Sequence, residues 1–290
     1  MRLRLPPVPE TPEPVWLDRR RFLARVGLAG LGAWGLLAAR GWPRDLPDPG
    51  PVTPEAEATR FNNYYEFTTD KREVWKKVAG FPTRPWTVAV DGLVARPRTL
   101  DPDGLRRLGT VERTYRHRCV EGWSAVIPWE GVPLERFVRW AEPLGSARYL
   151  AFTAFLKPDK APGQARHPEW PWPYTEGLTL AEATNELALL ATGAYGKPLA
   201  PSLGAPVRLV VPWKYGYKNV KGIVRITFTE TRPPTFWTTL APGVYGFFSN
   251  IAGGDREWRL GTGERVPTPA YNGYGAWVAH LYREPPGANR

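Results

Sequence analysis

The chain has a single cysteine, Cys119, set in the segment YRHRCVEGWSAVIPW at residues 115–129. If residues 114–119 are extended, the period of two puts Tyr115, His117 and Cys119 on one face and Arg116 and Arg118 on the other. An imidazole and nearby guanidinium groups favour the thiolate, the form that ligates a soft metal or attacks an electrophile. The spacing leaves three roles open for Cys119: a metal ligand, a nucleophile beside His117, or an inert core thiol. Three histidines, His117, His167 and His280, stand far apart in the chain, and no HExxH pattern occurs. One cysteine also excludes cysteine-rich zinc and iron-sulfur sites and any internal disulfide. A metal would have to be held by something other than a cage of protein ligands.

The elements that must position this segment are short and strand-rich. Leu134, Phe137, Val138 and Ala141 recur at helical spacing after Pro133, which predicts an amphipathic helix. Thr179 and Glu182 form a capping box for a second helix, expected to run through Leu187 towards Thr192. Strands are expected over residues 86–94, 148–155, 207–211 and 223–229, each rich in Val, Ile, Phe or Thr. The 33 prolines and 29 glycines fall singly between short apolar runs, as loops between strands require. The pattern lacks a βαβ rhythm and a fixed repeat, and predicts a strand-rich α+β body. Neither GxGxxG after a strand nor GxxxxGK[ST] is present, which removes the common dinucleotide and P-loop sites.

The 39 Lys and Arg against 28 Asp and Glu give a net charge of +11. Residues 1–40 contribute +4 of this, from seven Arg less Glu10, Glu13 and Asp18, so the remainder is nearer +7. The basic residues are scattered, with no nucleic-acid-binding signature among them, and no nucleic-acid partner is expected. Asp18, Arg19, Arg20, Arg21, Phe22 and Leu23 precede an apolar run at residues 26–39 that is too short to span a bilayer comfortably. Residues 1–40 therefore resemble a twin-arginine signal peptide, which implies export to the periplasm through the twin-arginine machinery. Such export carries folded proteins, so a cofactor inserted before export is expected. Residues 41–60, rich in Pro and acidic groups, are expected to be a linker or extended arm, and residues 61–290 a single catalytic domain.

Four segments, NNYYEF (62–67), YRHRCVEGWSAVIPW, VPWKYGYKNVKGI (211–223) and RPPTFW (232–237), follow the leader in this order. Together they resemble the molybdenum catalytic subunit of the periplasmic protein-methionine-sulfoxide reductases, the MsrP or YedY family, over about residues 61–282. The resemblance implies the sulfite-oxidase-type molybdopterin-binding fold and one Mo-molybdopterin, with Cys119 as metal ligand and catalytic residue. It places cofactor contacts at Asn62, Tyr65, Glu66, Cys119, Thr153, Arg208, Asn219, Val220 and Lys221. Amide and carboxyl groups such as Asn62 and Glu66 suit the donor and acceptor edge of a pterin. Arg208 and the basic loop KYGYKNVKG suit its phosphate. Two positions depart from the family: Leu203 stands where a cofactor-contacting Asn is usual, and Ala125 where Met is common.

The implied activity is reduction of methionine sulfoxide in exported proteins. Electrons would come from outside, since no haem motif is encoded, and the resemblance implies a haem-binding membrane subunit of the MsrQ type as donor. Two alternatives share parts of this account: a sulfite oxidase with the same cofactor, and a cofactor-free exported protein whose basic, aromatic-rich surface binds an anionic or carbohydrate ligand. A cysteine hydrolase using Cys119 and His117 is a further alternative, with no orienting Asn or Asp evident.

Overall fold

The computed structural model describes residues 46–286. The twin-arginine leader and the first part of the arm lie outside the described residues. From Pro47 onward the chain forms one unit by its internal contacts. Twelve strands are described in it: Val88–Gly92 (β1), Arg98–Leu100 (β2), Val111–Arg118 (β3), Trp123–Pro133 (β4), Tyr149–Ala154 (β5), Thr175–Thr179 (β6), Leu189–Ala194 (β7), Lys197–Pro198 (β8), Arg208–Val210 (β9), Ile223–Thr229 (β10), Arg256–Arg259 (β11) and Arg265–Pro267 (β12). One sheet has the order β2-β1-β10-β5-β6, with β1 parallel to β10 and the other pairs antiparallel. The other has the order β12-β11-β4-β7-β8, with β3 added against β4 and β9 against β7. This is the strand-rich α+β class that the sequence implied.

The helix Leu134–Ala141 buries Leu134, Phe137, Val138 and Ala141, the four positions its spacing marked. Four strands lie where the sequence put them, three with trimmed ends and Ile223–Thr229 with the bounds expected. The second helix is different. Its capping box forms as expected, with Thr179 Oγ1 accepting from the Glu182 N–H at 3.1 Å and Glu182 Oε2 accepting from the Thr179 N–H at 2.8 Å. The helix nevertheless ends at Ala183, and the expected continuation towards Thr192 is strand β7. Every residue of LLATGA is buried, and the strand lies between β4 and β9, which satisfy its backbone on both sides. Helical propensity cannot compete with a run that is apolar on both faces and has two ladders to complete. The arm also departs from expectation at its end: residues Glu55–Arg60 are helical, and Ala58 is buried.

The pairing of β3 with β4 matters most for function. The two strands run from Val111↔Gly131 to Arg118↔Ser124, and a tight turn joins them. Cys119 donates its N–H to the Trp123 carbonyl at 2.8 Å, and its carbonyl accepts from Gly122 at 3.1 Å. Gly122 has φ +93°, a conformation that glycine adopts without a Cβ penalty. The hairpin thereby fixes the only thiol at its tip.

Candidate active site

Cys119 opens onto a cleft of about 1070 Å³, counting its mouth. Its walls come from the hairpin tip, residues 61–66, Arg208 on β9, the loop after β9, and the side chains of Trp237 and Tyr245. Around the sulfur, Asn63 Nδ2 and the Glu121 N–H each donate at 3.5 Å, and Glu121 Oε2 lies 3.7 Å away. Burial pushes the Cys119 thiol up to about 12, so the protein alone does not hold it as a thiolate. A bound cation of high charge would reverse that balance.

The basic neighbours seen in the sequence are spent elsewhere. Arg118, buried, pairs with buried Glu257 at 2.9 Å and donates to Thr268 Oγ1 at 3.1 Å. Arg116 donates to Asn272 Oδ1 at 3.0 Å. His117 lines the cleft, but its Nε2 accepts from Trp129 Nε1 at 2.7 Å, and burial followed by the Arg208 charge lowers the imidazole to about 3. It is a neutral ring whose Nε2 is occupied, and no hydrogen bond joins it to Cys119 among the described residues. The cysteine hydrolase reading therefore loses its general base.

Glu121, two residues past the cysteine, was not singled out in the sequence. Its Oε2 accepts from Asn63 Nδ2 at 3.2 Å and Trp123 Nε1 at 3.1 Å, and pairs with Lys71 at 3.3 Å. Burial works to raise its carboxyl, but these donors outweigh that effect and hold it below the usual range. Asn63 was also missed, although it adjoins Asn62 in NNYYEF. A tight turn is the only signal that could have paired Glu121 with the thiol.

Two cations in the cleft have no carboxylate within 4 Å among the described residues. Arg208 donates to the Leu203 carbonyl at 2.9 Å and lies 4.7 Å over the Trp129 ring; burial lowers it to about 10. Lys221 donates to Asn62 Oδ1 at 3.3 Å and to the Asn63 carbonyl, and stands 4.9 Å over Tyr64. Burial, reinforced by Arg208, lowers Lys221 to about 7. Gly204 lets this lysine in: with φ +102°, it lies where a Cβ would come within 2.6 Å of Lys221 Cγ. Burial raises the nearby Glu66 carboxyl to about 7, so it can donate as well as accept near neutral pH.

Eight of the nine implied cofactor residues line this one cleft: Asn62, Tyr65, Glu66, Cys119, Arg208, Asn219, Val220 and Lys221. Thr153 does not. It sits mid-strand in β5, paired with Thr175 and Arg225, and its side chain is outside the cleft lining. Two further expectations change. The Asn219 amide is turned inward, its Oδ1 accepting from the Val211 N–H at 2.7 Å, so its side chain braces the loop. Lys214 and Lys218, also of the basic loop, are buried against Glu182 at 2.5 Å and Glu176 at 2.6 Å. The cleft-lining cations without a carboxylate partner among the described residues are Arg208 and Lys221, Arg118 being paired with Glu257, and Leu203 and Ala125 line the cleft as apolar wall.

This donor set fits a large anionic cofactor with a metal at one end. Arg208, buried, and Lys221, half-buried, can take a phosphate, Asn62 and Glu66 can meet a heterocycle edge, and Cys119 offers a single sulfur ligand. Among the described residues no three His, Cys, Asp or Glu side chains converge to hold an ion by themselves.

A family model described as "Oxidoreductase molybdopterin binding domain" matches residues 76–237 of the chain. A crystal structure of the sulfane dehydrogenase SoxCD from Paracoccus pantotrophus is similar at 14% sequence identity with a TM-score of 0.48. The alignment covers 80% of this chain and 63% of that one, so this chain spans less than two thirds of that protein's length.

Proposed function

Because this chain belongs to the oxidoreductase molybdopterin-binding domain family, we propose that it is the exported catalytic subunit of a protein-methionine-sulfoxide reductase. The family supplies the cofactor, Mo-molybdopterin, and the oxidoreductase class. When bound, the cofactor would supply two-electron oxygen-atom-transfer chemistry at sulfur. Arg208 and Lys221 would hold the phosphate, Asn62 and Glu66 the pterin edge, and Cys119 the metal.

One observation favours a neutral sulfoxide over sulfite. The Glu121 carboxylate lies 3.7 Å from the Cys119 sulfur, and its carboxyl is held below the usual range by Asn63, Trp123 and Lys71. A sulfite dianion entering there would meet like charge, whereas a sulfoxide carries no net charge and its polar oxygen needs only a donor. The Asn63 amide keeps both the sulfur and this carboxylate in register. Reducing equivalents would come from a haem-carrying membrane subunit, and the substrates would be oxidised proteins in the periplasm.

The test is a direct comparison in one cofactor-loaded sample: dye-driven reduction of methionine sulfoxide against dye-coupled oxidation of sulfite. The proposal expects the first to dominate in kcat/KM. Faster sulfite oxidation would replace it with the sulfite oxidase reading.

A further inference from the structure

The cleft opens onto a strip of partly exposed rings. Tyr65, on the cleft wall, meets Trp237 at 5.4 Å and Trp170 at 6.1 Å between ring centres. Trp170 meets Trp172 at 5.9 Å and is stacked on the His167 imidazole at 4.3 Å, with the planes 13° apart. At the same mouth Val120, in the Cys119 hairpin, is 46% exposed. A run of apolar groups facing water around a catalytic mouth marks a contact surface rather than core packing.

The strip is preformed. Its segment HPEWPWPY at residues 167–174 carries Pro168, Pro171 and Pro173, which restrict the backbone, and the His167 ring is stacked against one face of Trp170. The polar tips of two rings are already satisfied: Trp172 Nε1 donates to the His167 carbonyl at 2.8 Å, and Trp237 Nε1 to Tyr174 OH at 3.0 Å. Trp170 Nε1 has no acceptor among the described residues. A rigid aromatic surface with a free indole N–H beside it is the arrangement that takes an extended peptide, rings against side chains and N–H to a backbone carbonyl.

We propose that the strip Tyr65–Trp170–Trp172 is a docking shelf for an extended polypeptide segment, which lies along the tryptophans and lowers one side chain past Tyr65 into the cleft. This rests on the sulfoxide-reductase reading only for the identity of that side chain; the docking itself does not.

The experiment measures two things on full-length, cofactor-loaded protein. Fluorescence polarisation follows binding of a labelled, proline-containing peptide with a central methionine sulfoxide, to wild type, Trp170→Ala and Trp170→Phe. Dye-driven turnover is then compared for the same peptide and for dimethyl sulfoxide. Trp170→Ala is expected to weaken peptide binding and raise its KM about tenfold, with kcat and the dimethyl sulfoxide kinetics unchanged. Trp170→Phe, which keeps a ring and loses the N–H, should fall between. Unchanged peptide affinity in Trp170→Ala would overturn the shelf, as would binding of a neutral oligosaccharide in place of the peptide. If wild type reduces neither sulfoxide but still binds the peptide through Trp170, the functional proposal fails and the docking shelf stands.

Discussion

The loop after β9 carries three lysines within eight residues, and they meet two different fates. Lys214 and Lys218 are buried against Glu182 and Glu176, each with a further carbonyl acceptor, from Phe248 and Phe247 at 2.8 Å. Lys221, half-buried, and Arg208, buried, lie across an isolated bridge from each other and face a cleft with no carboxylate within 4 Å of either among the described residues. The first pair completes its own electrostatics and holds the loop; the second leaves two positive charges for a ligand to complete. Burial without a partner costs free energy, and a site that retains it does so for something that binds.

Substitutions separate the two groups, and the largest effect lies at the thiol they serve. Cys119→Ser should abolish turnover, since even changing a group that only orients a metal's ligand costs about 10–100-fold, while the thermal midpoint of the cofactor-free protein stays close to wild type. Full activity in that variant would remove the ligand assignment. Next, Lys218→Met strands the Glu176 carboxylate and should cost about 3–5 kcal/mol in denaturant unfolding. The double variant Lys218→Met/Glu176→Leu should recover much of that loss. Lys221→Met is the opposite case: unfolding stability of the cofactor-free protein should hold or rise, because a half-buried charge with no carboxylate partner is removed. Its cost should fall on ligands, with sulfate affinity reduced by roughly 1.5–3 kcal/mol, and Arg208→Ala should likewise lower cofactor retention after purification. Equal destabilisation by Lys218→Met and Lys221→Met would erase the distinction.

The same contrast predicts a pH dependence. The Lys221 ammonium is lowered to about 7, so it carries charge below that pH and loses it above. Sulfate, which does not titrate there, should bind the cofactor-free protein more weakly as pH rises through about 7, by calorimetry. Lys221→Met should flatten that slope. The smallest effect is expected at Thr153, outside the cleft: Thr153→Ala should leave molybdenum content unchanged and stability within about 0.5 kcal/mol of its packing loss.

Much of this site was legible in the sequence because it lies in short blocks whose order is itself a signal. The strand period put His117 and Cys119 together, and both line the cleft; it sent Arg116 and Arg118 to the other side, but Arg118 lines the cleft too, with its guanidinium held by Glu257 and Thr268. The strand period could not show that Glu257 and Asn272, well over a hundred residues away, consume those arginines. Nor could local spacing distinguish Lys221 from Lys218, since the difference is a carboxylate on β6. Glu121 escaped notice because its role depends on a turn geometry set by Gly122, not on any periodicity. The helix beyond Ala183 failed for a related reason: two neighbouring strands decided what LLATGA became, while its capping box spoke only for the first turn.

The central claim is that the Cys119 sulfur is the protein's ligand to a pterin-bound molybdenum. Elemental analysis of the chain and of its Cys119→Ser variant, both purified from a host that makes the cofactor, tests it most directly, with X-ray absorption of the metal edge as the second readout. The account predicts stoichiometric molybdenum in the wild-type chain and one fewer sulfur neighbour at the metal in the variant, or no metal at all. Wild-type protein free of molybdenum, or an identical sulfur shell in both, would contradict it.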